Sequence, residues 1–189
     1  MIILPLLIPH STLGIRRLRD EPAEYERLAS WLSDPRVLAF YEGRDQAFTP
    51  QLARQKFCPR IHPGESCLPC IIEQAGRPVG YVQLCQLEAG ELHEYSLEPA
   101  GLAYGLDLFI GEPELWGQGI GRQIVSALTQ ALFARGAEWV TLDPHIDNAR
   151  ALRCYESCGF QKIKLLPAHE LHEGRWVDCW LMACRRSPD

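Results

Sequence analysis

The run Trp116-Gly-Gln-Gly-Ile-Gly-Arg122 constrains this chain more than any other stretch, because it joins an apolar strand pattern to a long amphipathic helix. Tyr104 to Ile110 reads as the strand. From Gly119 a helical pattern continues to about Arg135, where Gly136 supplies the stop. Glycines at such a junction let backbone N–H groups turn inward around an anion, and the helix N-terminus adds positive potential. A pyrophosphate can therefore be held without side-chain charge, with Arg122 adding a charge-assisted contact. A tight glycine turn without a ligand fits the same residues. Spacing excludes two other phosphate motifs: Gly117, Gly119 and Gly121 do not form GxGxxG, and no Lys-Ser or Lys-Thr pair follows as in a P-loop.

Around this junction strands and helices alternate without a linker, charge block or repeat that would split the chain. Leu13 to Leu18 reads as a first strand, and Pro22 opens a helix whose apolar positions Tyr25, Leu28, Ala29 and Leu32 recur at helical spacing until Pro35 ends it. A second helical stretch follows Thr49-Pro50. The runs Cys70 to Gln74 and Pro78 to Leu87 flank the turn Ala75-Gly-Arg77 and predict a hairpin. Residues 88 to 103 carry Glu88, Glu91, Glu94 and Glu98 with two glycines and Pro99, and read as a loop. After Gly136 come a strand at Trp139 to Leu142, a helix at Asn148 to Ser157, and strands near Phe160 to Leu165 and Trp176 to Cys184. The expected class is α/β, or α+β, with a mixed central sheet flanked by helices, in a single domain spanning residues 1–189.

The 189 residues are enough to bury one core without staples. A net charge of −5 argues against a nucleic-acid surface, which carries a basic excess, and no stretch suggests a membrane span. The opening Met1-Ile-Ile-Leu-Pro-Leu-Leu-Ile-Pro is apolar, but it lacks a basic leader and is broken by Pro5 and Pro9. Residues 1–12 therefore read as an apolar arm that packs on the domain or on the second subunit of a homodimer, and the location as cytoplasmic. In that reducing setting all eight cysteines are expected to be free thiols. Cys67-Leu-Pro-Cys70 has redox or zinc spacing but no second CxxC, and Cys154 and Cys158 are spaced along one helix face, so no metal is expected.

A second constellation lies downstream: Asp143-Pro-His-Ile-Asp-Asn148, then Ala149-Arg-Ala-Leu-Arg-Cys-Tyr155-Glu-Ser-Cys-Gly159-Phe160. Together with the glycine run, this resembles the GCN5-related N-acetyltransferases. Their coenzyme A loop reads (Gln/Arg)-x-x-Gly-x-(Gly/Ala), and their next helix reads Asn-x-x-Ala-x-x-x-Tyr-x-x-x-Gly-Phe. Asn148, Ala151, Tyr155, Gly159 and Phe160 match the helix at every spacing, while Trp116 departs from the Gln or Arg of the loop. A narrower resemblance, to the aminoglycoside 6'-N-acetyltransferases including the acetyltransferase half of the bifunctional aminoglycoside-modifying enzyme, rests on four further stretches. These are Trp31 to Asp45, Tyr104 to Trp116, Leu142-Asp-Pro-His145, and Pro167 to Gly174 with Asp178-Cys-Trp-Leu-Met182.

The resemblance implies acetyl-CoA as co-substrate and an aminoglycoside as acceptor. It places coenzyme at Trp116, Gly117, Gln118, Gly119, Ile120, Gly121 and Arg122, at Asn148, Ala151 and Tyr155, and along the backbone of Leu108, Phe109 and Ile110. Amide formation needs a proton acceptor for the ammonium and a donor for the leaving thiolate. Asp107, a lone carboxylate in an apolar strand, is the candidate base or substrate-orienting group, acting directly or through water. Tyr155 is the candidate acid, with core packing as the plainer role, and Asn148 can bond pantetheine, cap its helix, or both. A polycationic acceptor calls for further carboxylates and an aromatic surface, for which Asp143, Glu94, Glu98, Glu42, Asp178, Tyr41 and Trp31 are candidates, though the helical spacing of Trp31 with Leu28 favours the core. Another amine or a protein N-terminus is the alternative acceptor, and the joint presence of Asp107 and Tyr155 argues against a non-catalytic coenzyme sensor.

Overall fold

The computed structural model describes residues 6–62, 66–97 and 101–187. Glu98 and residues 1–5 of the apolar arm lie outside them. In chain order the elements are β1 (Leu6–Leu7), β2 (Leu13–Arg17), α1 (Pro22–Trp31), α2 (Pro35–Leu38), α3 (Pro50–Phe57), β3 (Cys67–Gln74), β4 (Arg77–Gln86) and α4 (Ala89–Tyr95). They continue with β5 (Leu102–Ile110), α5 (Ile120–Phe133), β6 (Ala137–Leu142), α6 (Ala149–Glu156), β7 (Gln161–His172) and β8 (Arg175–Arg185). The strands form one mixed sheet in the order β1-β2-β3-β4-β5-β6-β8-β7, in which β5 and β6 run parallel and every other neighbouring pair antiparallel.

Strand alternation sorts the side chains onto two faces. Ile72, Val82, Leu106 and Val140 point to the face covered by α5 and α6, where Ile120, Ile124, Val125, Leu128 and Leu132 form the buried stripe of α5. Their neighbours Ile71, Tyr81 and Phe109 point to the opposite face, covered by α1, α2 and α3 through Leu28, Trp31, Leu32, Leu38 and Phe57. Trp31 is thereby a core residue: its ring meets Phe109 edge-on at 6.1 Å, and its indole donates to Glu112 Oε1 at 3.1 Å. Proline at the first turn marks the starts of α1, α2 and α3, and Asp34 and Thr49 cap the last two by accepting from Arg36 N and Leu52 N.

Three expectations are corrected. Residues 88 to 103 are not one loop, because Glu88 and Glu91 form a reciprocal capping box that starts α4, and β5 begins at Leu102. The last hairpin is longer than its apolar runs suggest, since β7 extends to His172 with irregularities between Lys162 and Lys164 and between Leu166 and Glu170. The cysteines are not all free. Cys67 and Cys85 sit directly opposite in the β3–β4 ladder with Cα atoms 4.0 Å apart, and they form a disulfide. Cys70, three residues along the strand, therefore points to the other face and is buried in the core.

Gly111 closes β5, where its N–H donates to Val79 O at 2.9 Å and a Cβ would stand 2.2 Å from the Trp31 ring. Gly111→Ala is expected to lower unfolding free energy by about 1–3 kcal/mol through overpacking. Denaturant titration checks this as a lower midpoint at unchanged slope.

Candidate active site

Strands β5 and β6 pair only from Leu102↔Ala137 to Gly105↔Thr141, after which β5 continues to Ile110 against β4 alone. Gly111 N–H donates to Val79 O and Leu87 N–H donates to Ala103 O, which turns the odd-numbered backbone groups of β5 toward β4. By strand alternation the backbone groups of Leu106, Leu108 and Ile110 face the gap left by β6. The Ile110 carbonyl accepts the Trp116 indole N–H at 2.9 Å. Phe109, whose amide faces β4, also lines the cavity, and its ring packs against Trp31, Tyr41 and Tyr81.

Two clefts meet in this gap. The first, about 330 Å³, is lined by Leu108, Phe109, Ile110, Trp116, Gly117, Gly119, Ile120, Gly121, Arg122, Asn148, Arg150, Ala151 and Tyr155 among others. Gly117 (φ +76°) and Gly119 (φ +79°) are left-handed, and an added Cβ at either would meet nothing within 4 Å, so it is backbone conformation rather than space that asks for glycine. They turn the chain so that the N-terminus of α5 points into this cleft. Gln118 does not line it; its amide donates to Glu114 O at 3.0 Å and braces the turn. Arg150, in the first turn of α6, stacks with its guanidinium 3.7 Å over the Trp116 ring. Trp116, where the resemblance has Gln or Arg, thus holds an arginine over the same cleft. Sequence reasoning missed Arg150 because a helix-surface arginine is ordinary until its neighbour is known.

The second cleft, about 370 Å³, is polar, and its lining includes Tyr41, Glu42, Asp107, Asp143, His145 and Glu170. Tyr155, Asn148, Leu108, Tyr41 and Phe40 line both clefts and so mark their junction. Asn148 also caps α6, accepting from Ala151 N at 3.1 Å. Tyr155 is buried, and that burial raises its phenol pKa, so the hydroxyl keeps its proton at neutral pH. Glu42 (φ +72°) and Gly43 (φ +92°) turn the chain beside Tyr41. This loop is fastened to the β7–β8 turn by a two-point pair from Arg44 to Glu173, Nε to Oε1 at 2.5 Å and Nη2 to Oε2 at 2.9 Å.

Asp107 stands at the floor of the polar cleft. Gln83 Nε2 donates to its Oδ2 at 3.2 Å, and Gln83 Oε1 in turn accepts from Tyr81 Oη at 2.9 Å and Arg60 Nη1 at 2.6 Å. Burial first, and the neighbouring charge of Asp143 second, push its pKa up to about 7 against the hydrogen bond from Tyr41. Asp143 lies at the rim, paired with His169 at 3.0 Å, and His145 pairs with Glu170 at 3.0 Å. Those carboxylates raise the pKa of both histidines.

Two expected substrate-side carboxylates are not brought here. Asp178 accepts from Ala168 N at 2.8 Å and stabilises the irregularity in β7, where Ala168 takes φ +48°. Glu94 is exposed on α4, and its carbonyl accepts from Lys164. Its neighbour Glu91 instead faces a small pocket shared with Asp107 and Asp143. Gln83, Arg60, His145 and Glu170 were missed, since polar residues on half-exposed strands and loops give no periodic signal.

A parallel strand pair that splays open, with a glycine-built helix N-terminus on one side and a buried carboxylate on the other, defines a group-transfer site for a phosphate-bearing donor. Residues 20–167 match the family model described as an acetyltransferase (GNAT) domain, and the chain belongs to that family of acetyltransferases. It is 29% identical over 138 residues to aminoglycoside N(6')-acetyltransferase type 1 of Klebsiella pneumoniae, covering 71% of this chain and 68% of that protein. The structure of AAC(6')-Ib in complex with ribostamycin and coenzyme A superposes with a TM-score of 0.71 at 22% identity, over 93% of this chain and 94% of the other. RimL, the ribosomal L7/L12 α-N-protein acetyltransferase in complex with coenzyme A, gives 0.79 at 15% identity, over 98% and 99%.

With an ordinary carboxyl pKa of 3.8 when unfolded and about 7 when folded, Asp107 binds its proton more tightly in the native state. The stability this contributes is complete below pH ~4 and is lost as pH rises through ~7. Asp107→Asn carries no charge at any pH. Its melting temperature relative to wild type is therefore expected to climb between pH 4 and pH 7 and then level off. A difference that is flat across that window would contradict a buried, proton-retaining carboxyl.

Proposed function

We propose that this protein transfers an acetyl group from acetyl-CoA to the 6'-amino group of aminoglycoside antibiotics. The observation that carries this reading is the acidic cleft, in which Asp107, Asp143, Glu42 and Glu170 surround a space that opens directly onto the glycine-built cleft. Several carboxylates around one cavity suit a polycation, and the aromatic rings of Phe40 and Tyr41 beside them suit a sugar face. The relationship to the Klebsiella aminoglycoside enzyme points the same way.

In this reading the coenzyme phosphates take the amides at the N-terminus of α5 with Arg122 and Arg150, and the pantetheine arm takes the open-edge amides of Leu108 and Ile110 with Asn148. The thioester then lies at the junction of the clefts. The ammonium gives a proton to the Asp107 carboxylate, directly or through water, and the neutral nitrogen attacks the thioester carbonyl carbon. The tetrahedral intermediate collapses with rupture of the C–S bond; Tyr155 protonates the departing thiolate and regains a proton from the second N–H that leaves the nitrogen, while the proton on Asp107 passes to solvent. A base with pKa about 7 is half ionised at neutral pH, the range in which proton abstraction is most effective. Gln83, itself bonded by Tyr81 and Arg60, fixes the orientation of that carboxylate.

The purified protein is expected to release coenzyme A thiol when given acetyl-CoA with kanamycin or tobramycin, and not with an analogue bearing a 6'-hydroxyl. Equal turnover with that analogue removes the regiochemistry. Faster turnover with amine-terminated peptides than with any aminoglycoside replaces the acceptor class. Among variants, Asp107→Asn is expected to lose roughly 10²-fold or more in turnover at pH 7, and Tyr155→Phe on the order of 10-fold, because a thiolate leaves without much help. Steady-state rates in which Tyr155→Phe is the more damaging change would reverse the assignment of the dominant proton transfer.

A further inference from the structure

We propose that His145, Glu170 and His172 bind a divalent transition-metal ion of the zinc type at the rim of the acidic cleft, and that its occupation opposes the binding of a cationic substrate. On β7, Glu170 and His172 are two residues apart and lie on the same side of the strand, His172 buried and Glu170 half-exposed, while Leu171 between them is 58% exposed. His145 reaches the same place from the loop after β6. That loop is pinned to β8 by the His145↔Cys179 bridge and by the bond from Trp180 N to Pro144 O at 2.9 Å. One ligand atom from each of the three side chains lies within 4.8 Å of the other two, and His145 Nε2 already stands 3.0 Å from Glu170 Oε2. Zinc bonds of ~2.0–2.2 Å in tetrahedral array set donors roughly 3.4 Å apart, a spacing toward which the three side chains need only close.

An independent observation points to a missing ligand. His172 is 8% exposed, and its Nδ1 is buried with no hydrogen-bond partner among the described residues. Its Nε2 stands 3.9 Å from Glu173 Oε1, beyond hydrogen-bond reach. A buried imidazole left in that condition carries a desolvation cost that a metal bond removes. Two imidazoles with one carboxylate favour zinc, copper, nickel or cobalt over magnesium or calcium, which prefer oxygen. Three protein ligands leave a fourth position, and since His145 and Glu170 line the cleft, that position opens toward the acceptor side. An ion there adds two positive charges beside Asp143 and across from Asp107. Metal and polycation then weaken each other's binding by the same factor.

The site is independent of which amine the enzyme acetylates, so it is tested first without acceptor. Zn²⁺ is titrated calorimetrically into metal-stripped full-length protein, wild type and His172→Asn, and Co²⁺ is added in parallel to read its visible absorption. The expected result is one ion per wild-type chain, at least about 10-fold weaker binding in the variant, and a tetrahedral cobalt spectrum without thiolate charge-transfer bands. Metal-free turnover of His172→Asn should equal that of wild type, because His172 does not line the cleft, and Zn²⁺ should raise the acceptor KM of wild type more than that of the variant. Equal Zn²⁺ affinity in the two proteins overturns the proposal, as does its absence in wild type. If His172→Asn does not fold, thiolate bands in the wild-type cobalt spectrum overturn it by moving the ion to the cysteines.

Discussion

The parting of β5 from β6 beyond Gly105 and Thr141 is the constraint on which the rest of the site depends. A parallel pair that stayed in register would consume the backbone groups of Leu106, Leu108 and Ile110 in a ladder and leave no gap. Instead those groups border an opening whose walls come from other elements: the left-handed glycines before α5, the first turns of α6, and the loop at Tyr41 and Glu42. The open edge would be costly if dry, since unpaired backbone groups are rarely buried without partners. In the proposed reading, the amides of a pantetheine arm answer that need. The Trp116 indole already satisfies the carbonyl of Ile110 at the far end.

The same gap sets the chemistry of Asp107. Its strand turns the side chain to the face shared with Tyr81 and Phe109, away from α5, where burial first and the charge of Asp143 second hold its proton up to about pH 7. It remains anchored because Gln83 donates to it from the adjacent strand, and Arg60 and Tyr81 both donate to the carbonyl oxygen of that glutamine. Arg60 thus acts through a neutral amide. A direct Arg60–Asp107 ion pair would favour the charged form and pull the pKa downward, leaving a poor base.

Local features of this architecture were legible in the sequence, and features that depend on register were not. The glycine run, the α5 stripe, the Asn148 cap and the lone Asp107 are each written within a few consecutive residues. The capping box at Glu88 and Glu91 was equally local, but the glycines and Pro99 around it spoke more loudly for a loop. The Cys67–Cys85 disulfide, the Gln83 relay and the Arg150–Trp116 stack join residues whose proximity arises only from strand pairing and helix placement. Asp178 and Glu94 show the converse error, since acidic residues near a site were counted as part of it although one serves the bend of β7 and the other faces out.

The central claim is that a buried carboxyl of near-neutral pKa takes the proton from the acceptor amine. The most direct test is the pH dependence of kcat/KM for an aminoglycoside, compared between wild type and Asp107→Asn. This account predicts a wild-type rise governed by a group of pKa about 7 that is missing from the variant, whose rate instead follows the fraction of neutral amine and keeps rising above pH 7. Superimposable profiles for the two proteins would contradict it.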